Sequence, residues 1–195
     1  MTLTELLKQE TNEKHIAIGK SPAFSKLLSP SLTKETYVQI ITGWYDFMKN
    51  LETNYSQFSQ LFRVIPDLQE RLKTKMLEKD LLESDMKLSD AINTNITIPT
   101  CKTIHELIGI LYVVEGSSLG AQFITKQLTS NINLTNLSFH FYNGYRNETI
   151  TKWESFKKWV NIYGENYPES HPEIIEAANT CFFCLMNSIN SYTKQ

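Results

Sequence analysis

The sequence has no long hydrophobic run and no excess of charge of either sign. Its longest apolar stretch, from Leu107 to Val114, is interrupted by Gly109 and falls well short of the ~20 residues that a membrane-spanning helix needs. The 19 basic and 21 acidic residues nearly cancel, so the chain has no bulk positive field that would attract nucleic acid. The charged N-terminal residues lack the apolar core of a secretory signal. We therefore expect a cytoplasmic protein that binds neither membranes nor nucleic acid.

Cysteine is also scarce. Cys101, Cys181 and Cys184 form an odd set, which predicts no disulfide framework in a reducing compartment. Cys181 and Cys184 have the spacing of a redox CxxC motif, but they lie inside a predicted apolar helix rather than at a turn between a strand and a helix. The preferred interpretation is that both thiols are buried by packing.

No segment shows the sustained alternation of apolar and polar residues that predicts a β-strand, and the sequence has no internal repeat. Instead, apolar residues recur at helical spacing. Ser/Thr-x-x-Glu capping boxes, which are typical of helix N-termini, begin at Thr2, Thr103 and Ser170. A chain of 195 residues is long enough to bury a substantial core. We therefore predict a single all-α domain over residues 1–195, arranged as an orthogonal helical bundle.

Six helical segments are expected in this bundle. Residues that break helices follow two of them, because Gly19 and Pro22 follow the first segment and Pro66 follows the second. An aromatic stretch from Ser138 to Tyr145 could form a buried irregular segment. The expected segments are Thr2 to Gly19; a second from Thr33, which carries Tyr55 and Phe58 and is broken at Pro66; a third from Asp67, with apolar positions Leu68, Leu72, Met76 and Leu82; Thr103 to Leu128; Trp153 to Gly164; and Ser170 to Tyr192.

The segment from Leu107 to Leu128 carries two glycines, Gly116 and Gly120, in an otherwise apolar helical pattern. A glycine inside a helix costs about 1 kcal/mol relative to alanine, so the pair needs a reason. Because the two residues are spaced i and i+4, one helix face loses its side chains for about a turn and exposes its backbone. We call this face the notch. For an isolated GxxxG pattern the favoured interpretation is that another helix packs into it, and the alternative is that a ligand lies there.

His15 lies on the apolar face of the first segment, in line with Leu7 and Ile18. A single histidine on such a face is more often a core residue than a metal ligand. Lys8 stands about two turns earlier on the same face, where an ammonium group needs an anion of the protein or of a ligand unless it extends to solvent. An imidazole, a bare helix face and a cation together suggest a planar, anionic, metal-centred ligand, and haem is such a ligand.

Two stretches of the chain also resemble a known family. LKQETNEKHIAI is similar to the proximal helix of haem oxygenases, and LYVVEGSSLGAQFI is similar to their distal helix. The resemblance is closest to the bacterial enzymes associated with phytochromes, and it covers nearly the whole chain. It implies that His15 is the proximal iron ligand and that Gly116 and Gly120 are the distal glycines that approach dioxygen.

The resemblance assigns three further residues to the haem site. Lys8 and Lys158 fall on basic positions that bind the two haem propionates, and Phe182 is expected beside the haem. For Lys158 the alternative interpretation is a solvated charge on the helix surface.

Two positions depart from the pattern common in the family. Ser117 stands where many members have an aspartate that anchors ordered water, although the phytochrome-linked branch tends to lack that aspartate. Gly19 stands where a carboxylate often holds the second ring nitrogen of the proximal histidine, so a backbone carbonyl or water is expected to do so here.

The resemblance implies an enzyme that uses haem as both substrate and cofactor. It implies that haem is opened at one meso carbon to biliverdin, carbon monoxide and ferrous iron. Dioxygen is the oxidant, and a separate donor protein, a ferredoxin or a flavin reductase, supplies the electrons. Ser117 or a water molecule is expected to donate a hydrogen bond at the distal side. The biliverdin could pass to a phytochrome.

Other functions remain possible on the sequence alone. A protein of this fold could store or deliver haem without degrading it, and Ser117 and Gly19 make this plausible. A helical protein-interaction module is the simplest alternative. A di-iron bundle is disfavoured because the sequence has no Glu-x-x-His pair. A thiaminase-like enzyme is disfavoured because Cys181 and Cys184 lie in an apolar stretch.

Overall fold

The computed structural model describes residues 1–56, 65, 67–88 and 96–193. These residues form helices and connecting segments and no strand, so the predicted all-α class is confirmed. The expectations for Phe58, Pro66 and the side chain of Tyr55 lie outside the described residues.

Nine α-helices are present in the described part of the chain, and four short 3₁₀ helices lie between them. The α-helices are α1 (Leu3–Glu10), α2 (Asn12–Gly19), α3 (Pro22–Leu27), α4 (Lys34–Ser56), α5 (Thr74–Glu83), α6 (Ile104–Thr129), α7 (His140–Asn143), α8 (Thr149–Asn166) and α9 (His171–Tyr192). The 3₁₀ helices are Leu68–Arg71, Ile132–Leu134, Arg146–Glu148 and Pro168–Ser170.

The centre of the fold is α9, which packs along α6 and α4. Two glycines make this close packing possible. A Cβ on Gly109 of α6 would overlap the carbonyl oxygen of Ile174 and stand 2.8 Å from the backbone nitrogen of Ala178. A Cβ on Gly43 of α4 would stand 2.8 Å from the Cα of Ile189. Gly109, which in the sequence only interrupts an apolar run, is the position where two core helices touch.

Helix α6 is the one described helix that is long and apolar enough to cross a bilayer, with a mean hydropathy of 1.5 in its most apolar window. More than half of that window, 56%, is buried inside the protein. Helices α7, α8 and α9 all pack against it. Its apolar character is therefore that of a core helix.

The first expected helix is divided in two. Helix α1 ends at Glu10 and α2 begins at Asn12, with Thr11 between them. The Thr11 hydroxyl donates a hydrogen bond to the carbonyl of Leu7 at 2.7 Å, and a side-chain bond of this kind bends a helix. The backbone nitrogen of His15 still donates to the carbonyl of Thr11 at 2.9 Å, so α2 continues almost directly from α1.

The expectation that Gly164 ends a helix was wrong, because α8 continues to Asn166. A Cβ on Gly164 would stand 2.7 Å from the Cβ of Leu3. This glycine therefore serves the packing of α1 against α8.

The capping box expected at Ser170 was also wrong. The Ser170 hydroxyl donates to the carbonyl of Tyr167 at 2.7 Å. The Glu173 carboxylate instead accepts from the Thr103 hydroxyl at 2.6 Å and pairs with His105 Nδ1 at 2.8 Å. The other two expected boxes are confirmed.

The segment after Asp67 differs from the continuous helix that was expected. It forms the 3₁₀ helix at Leu68–Arg71 before α5 begins. Leu82, expected on the apolar face, is 59% exposed, whereas Leu77 and Leu81 are fully buried.

Candidate active site

A cavity of about 600 Å³ lies among α1, α2, α4, α6, α7, α8 and α9. Its size falls within the range of about 300–1,000 Å³ that is usual for sites that bind cofactors and small molecules. Its walls are mostly apolar and aromatic, with a few polar side chains from α1, α2 and α8. All but one of the residues that the sequence analysis assigned to a haem site line it.

The notch faces this cavity. A Cβ on Gly120 would have no atom within 4 Å, and a Cβ on Gly116 would meet only ring atoms of Trp153, at 3.8 and 3.9 Å. At Gly120, therefore, no described helix packs into the notch, and at Gly116 only the Trp153 ring of α8 approaches it. The backbone of α6 is exposed to a space that a ligand can fill.

His15 presents its imidazole to the same cavity from α2. Its side chain is exposed, so it is not a core histidine. Its ring and that of Phe182 of α9 form a T-shaped pair, with ring centres 6.0 Å apart and planes at 83°. Within the described part of the chain, no hydrogen bond to its ring nitrogens is found, and a Cβ on Gly19 would meet nothing within 4 Å. The imidazole is therefore free to bind a metal ion from its cavity side.

Two lysines line the cavity, Lys8 of α1 and Lys157 of α8. Lys157 pairs with Glu154 at 2.9 Å, and its Nζ lies 5.9 Å from the ring centre of Trp153. The structure does not bring Lys158 to the cavity; its side chain is exposed elsewhere on α8. Consecutive helical residues point about 100° apart, so the expected position misses the cavity by one residue.

Ser117 also lines the cavity, but its hydroxyl group is engaged. It donates to the carbonyl of Val114 at 2.7 Å, within its own helix. In this rotamer the hydroxyl proton is directed at the backbone rather than at a ligand.

The wall formed by α4 and α7 is aromatic. Trp44 packs on Phe141 with ring centres 4.8 Å apart, and Tyr142 lies beside them. The buried Asp80 holds these α7 residues, because its carboxylate accepts from the backbone nitrogens of His140 at 2.6 Å and Phe141 at 2.9 Å. Burial raises the pKa of Asp80 to about 6.

Asp80, Glu83 and His140 have ligand atoms within 4.8 Å of one another, a spacing that could hold a metal ion. Each is already engaged with the protein, since His140 Nε2 pairs with Glu83 at 2.8 Å and Glu83 accepts from the backbone nitrogen of Ser138 at 2.9 Å. These contacts explain the cluster as the anchor of α7. The sequence analysis missed Asp80, although a carboxylate between Leu77 and Leu81 on one helix face was a visible signal.

A buried ionic cluster lies directly before the notch in sequence, and the sequence analysis missed it too. Glu115 forms an ion pair with Arg71 and another with Lys73 at 3.1 Å. It also accepts from the hydroxyl of Tyr145 at 2.9 Å. All three charged side chains are no more than 3% exposed. A glutamate inside the apolar run before Gly116 was the available signal.

One family of known proteins matches the sequence of this chain. The sequence model of the family Heme oxygenase matches residues 1–190. A comparison with curated protein sequences gives no significant match.

Solved structures of bacterial haem oxygenases have the same fold. The enzyme of Neisseria meningitidis with bound NO and CO aligns with a TM-score of 0.77 at 22% identity, over 98% of this chain and 92% of that one. The enzyme of Leptospira interrogans aligns with a TM-score of 0.78 at 17% identity, over 98% and 100%. Haem oxygenase-1 of the cyanobacterium Synechocystis sp. PCC6803, in complex with haem, aligns with a TM-score of 0.71 at 17% identity, over 98% and 92%. With the family match over nearly its whole length, the chain belongs to the haem oxygenase family.

Proposed function

We propose that the protein binds haem in this cavity and degrades it with dioxygen to biliverdin, carbon monoxide and ferrous iron. The observation that carries the proposal is that the notch and the His15 imidazole face one cavity, and that a Cβ on Gly120 would meet no atom within 4 Å. Bound haem would supply both the iron that activates dioxygen and the ring that is oxidised.

The chemistry of the cavity walls fits haem. The apolar and aromatic surfaces of α4, α7 and α9 suit the face of a porphyrin, and two cations, Lys8 and Lys157, suit its two carboxylates. We therefore propose Lys8 and Lys157 as the propionate contacts, in place of the pair Lys8 and Lys158.

His15 would bind the iron through a neutral ring nitrogen. We propose that the contact with Phe182 holds the imidazole ring in its orientation. With Gly19 one turn later, no carboxylate of the described residues bonds to this imidazole to raise its basicity, so a weaker iron bond is expected than in relatives that have one.

The notch would admit dioxygen and the haem edge close to the backbone of α6. The hydroxyl of Ser117 donates to Val114, so α6 offers no strong acid there. A site without a strong acid favours oxidation of the ring over early cleavage of the O–O bond.

The remaining partners follow from this reaction. Electrons must come from a separate donor, for which we propose a ferredoxin or a flavin reductase. We also propose that residues 1–195 act as one domain, because α9 packs against α1, α4 and α6 alike. Membership of the phytochrome-associated branch, delivery of biliverdin to a phytochrome, and a cytoplasmic location stay predictions.

Two observations favour a second candidate, a protein that stores or delivers haem. The engaged hydroxyl of Ser117 and the open space beside Gly19 leave fewer activating contacts than the family commonly has. Such a protein would bind haem through His15 and leave it intact.

Titration with hemin tests the binding site. We expect a Soret band that saturates at one haem per chain, its loss in His15→Ala, and its partial return with added imidazole. His105→Ala is the matched control, because His105 pairs with Glu173 and does not line the cavity. An unchanged spectrum in His15→Ala would contradict the ligand assignment.

Reductant and oxygen, added to the haem-loaded protein, then separate the two candidate functions, since an enzyme loses the Soret band and a carrier keeps it.

A further inference from the structure

The guanidinium of Arg71 binds two walls of the cavity at once. Its Nη1 pairs with Glu115 of α6, and its Nη2 donates to the carbonyl of Lys152 and the hydroxyl of Ser155 in α8, both at 3.3 Å. We propose that Arg71 is a positioning residue that sets the spacing between α6 and α8, and with it the width of the cavity at the notch. This inference rests on the proposed function of the cavity.

The contacts of Arg71 lie next to the residues that face the cavity. Glu115 directly precedes Gly116 on α6, and Lys152 directly precedes Trp153 on α8. Across the cavity wall, a Cβ on Gly116 would stand 3.8 Å from the Trp153 ring. A shift of α8 relative to α6 therefore changes the gap between Gly116 and Trp153 directly.

The groups around Arg71 hold it in one orientation. Asp67 binds it in a bidentate manner, with Oδ1 at 2.8 Å from Nε and Oδ2 at 3.2 Å from Nη2. The guanidinium carbon lies 5.4 Å from the ring centre of Phe156. Lys152 Nζ reaches the same Asp67 carboxylate at 2.8 Å. The side chain is only 2% exposed, so its charge would be costly to leave unpaired and the arrangement resists rearrangement.

Arginine is required for this role. A guanidinium presents five N–H donors in a rigid plane, so it can bind Asp67, α6 and α8 together. A lysine at this position would keep the charge but offer a single ammonium group on a flexible stem, which cannot span both helices in fixed geometry. Arg71→Lys therefore removes the link and preserves the charge.

The test compares Arg71→Lys with Ile174→Ala in the full chain. Ile174 is fully buried against α6 near Gly109 and does not line the cavity, so its loss lowers stability without touching the proposed link. In the haem-free protein, we expect amide hydrogen exchange in residues 112–121 to rise about tenfold in Arg71→Lys beyond the change in Ile174→Ala. In the ferrous protein with carbon monoxide, the C–O stretching band should broaden or split only in Arg71→Lys.

Turnover gives a third measure. We expect kcat of Arg71→Lys to fall between about tenfold and a hundredfold, with haem affinity nearly unchanged, because a small displacement at the reacting centre is costly.

Asp67→Asn removes the orienting carboxylate at a side chain that is 25% exposed. It is the second variant if Arg71→Lys does not fold, and it should shift exchange and the C–O band in the same direction.

The outcomes separate this inference from the proposed function. If the unchanged protein does not degrade haem, the proposed function fails, while hydrogen exchange in the haem-free protein still tests the link between α6 and α8. If the unchanged protein degrades haem and Arg71→Lys matches Ile174→Ala in exchange, C–O band and kcat, Arg71 is merely structural and the inference is overturned.

Discussion

Gly109 and Gly120 lie on the same face of α6, about three turns apart, and a methyl group would meet opposite surroundings at the two positions. At Gly109 it would overlap the backbone of α9, and at Gly120 it would meet nothing within 4 Å. One face of a single helix is thus closed by a neighbouring helix at one end and open to the cavity at the other.

Alanine at each position should change the free energy of unfolding in opposite directions. Gly120→Ala should raise the free energy of unfolding by up to about 1 kcal/mol, because alanine is the better helix former and the space is free. Gly109→Ala should lower it by about 1 to 3 kcal/mol, because the core is overpacked. Urea unfolding at neutral pH measures both. Equal losses of stability would mean that Gly120 is also a packing residue.

Two lysines line the cavity and a third, Lys158, does not, so the three can be compared directly. Lys8→Ala and Lys157→Ala should each weaken haem binding about fivefold, since a partly exposed charge-assisted contact is worth about 1 kcal/mol. Lys158→Ala should leave the affinity unchanged, because its side chain does not reach the cavity. A larger effect at Lys158 than at Lys157 would restore the assignment made from the sequence.

Gly19 offers a test of the weak iron bond expected at His15. Gly19→Glu places a carboxylate one helical turn after His15, in space where a Cβ meets nothing within 4 Å. A hydrogen bond from the imidazole to this carboxylate should raise the frequency of the iron–histidine stretch in the ferrous protein. Gly19→Gln is the neutral control of the same size. The same frequency in both variants would show that the carboxylate does not reach the ring.

The pKa of Asp80 predicts a specific dependence of stability on pH. Burial raises this pKa from 3.8 to about 6, so the folded protein binds the proton more tightly than the unfolded chain. The contribution of Asp80 is therefore fully present below about pH 4 and is lost as the pH rises through about 6. The loss amounts to about 3 kcal/mol.

Asp80→Asn should remove this dependence. Urea unfolding of both proteins between about pH 4 and 7 measures it. The unchanged protein should lose stability relative to Asp80→Asn across this range. Parallel curves would mean that Asp80 titrates normally.

Features set by local sequence were predictable. The capping boxes at Thr2 and Thr103 bring together groups three residues apart, and the notch at Gly116 and Gly120 depends only on helical spacing. The same local rule failed at Ser170, because the Glu173 carboxylate bonds instead to Thr103 and His105 at the start of α6, far away in sequence.

The partners of the buried charges were not predictable from local pattern. The apolar run around Glu115 indicated a buried carboxylate, but Arg71 is 44 residues away in sequence and only the fold brings the two together. The sequence predicted Lys158 as the cavity lysine of α8, whereas Lys157 lines the cavity. The rotation of a helix about its axis is set by its tertiary packing rather than by its own sequence.

A single-turnover reaction shows whether haem bound in this cavity is degraded. The protein loaded with one equivalent of hemin is mixed with reductant under oxygen, and the products are trapped and separated by chromatography. We expect the Soret band to disappear, with carbon monoxide and biliverdin formed in amounts equal to the haem consumed. Recovery of intact haem from a protein that binds it through His15 would rule out the proposed degradation and identify a haem carrier.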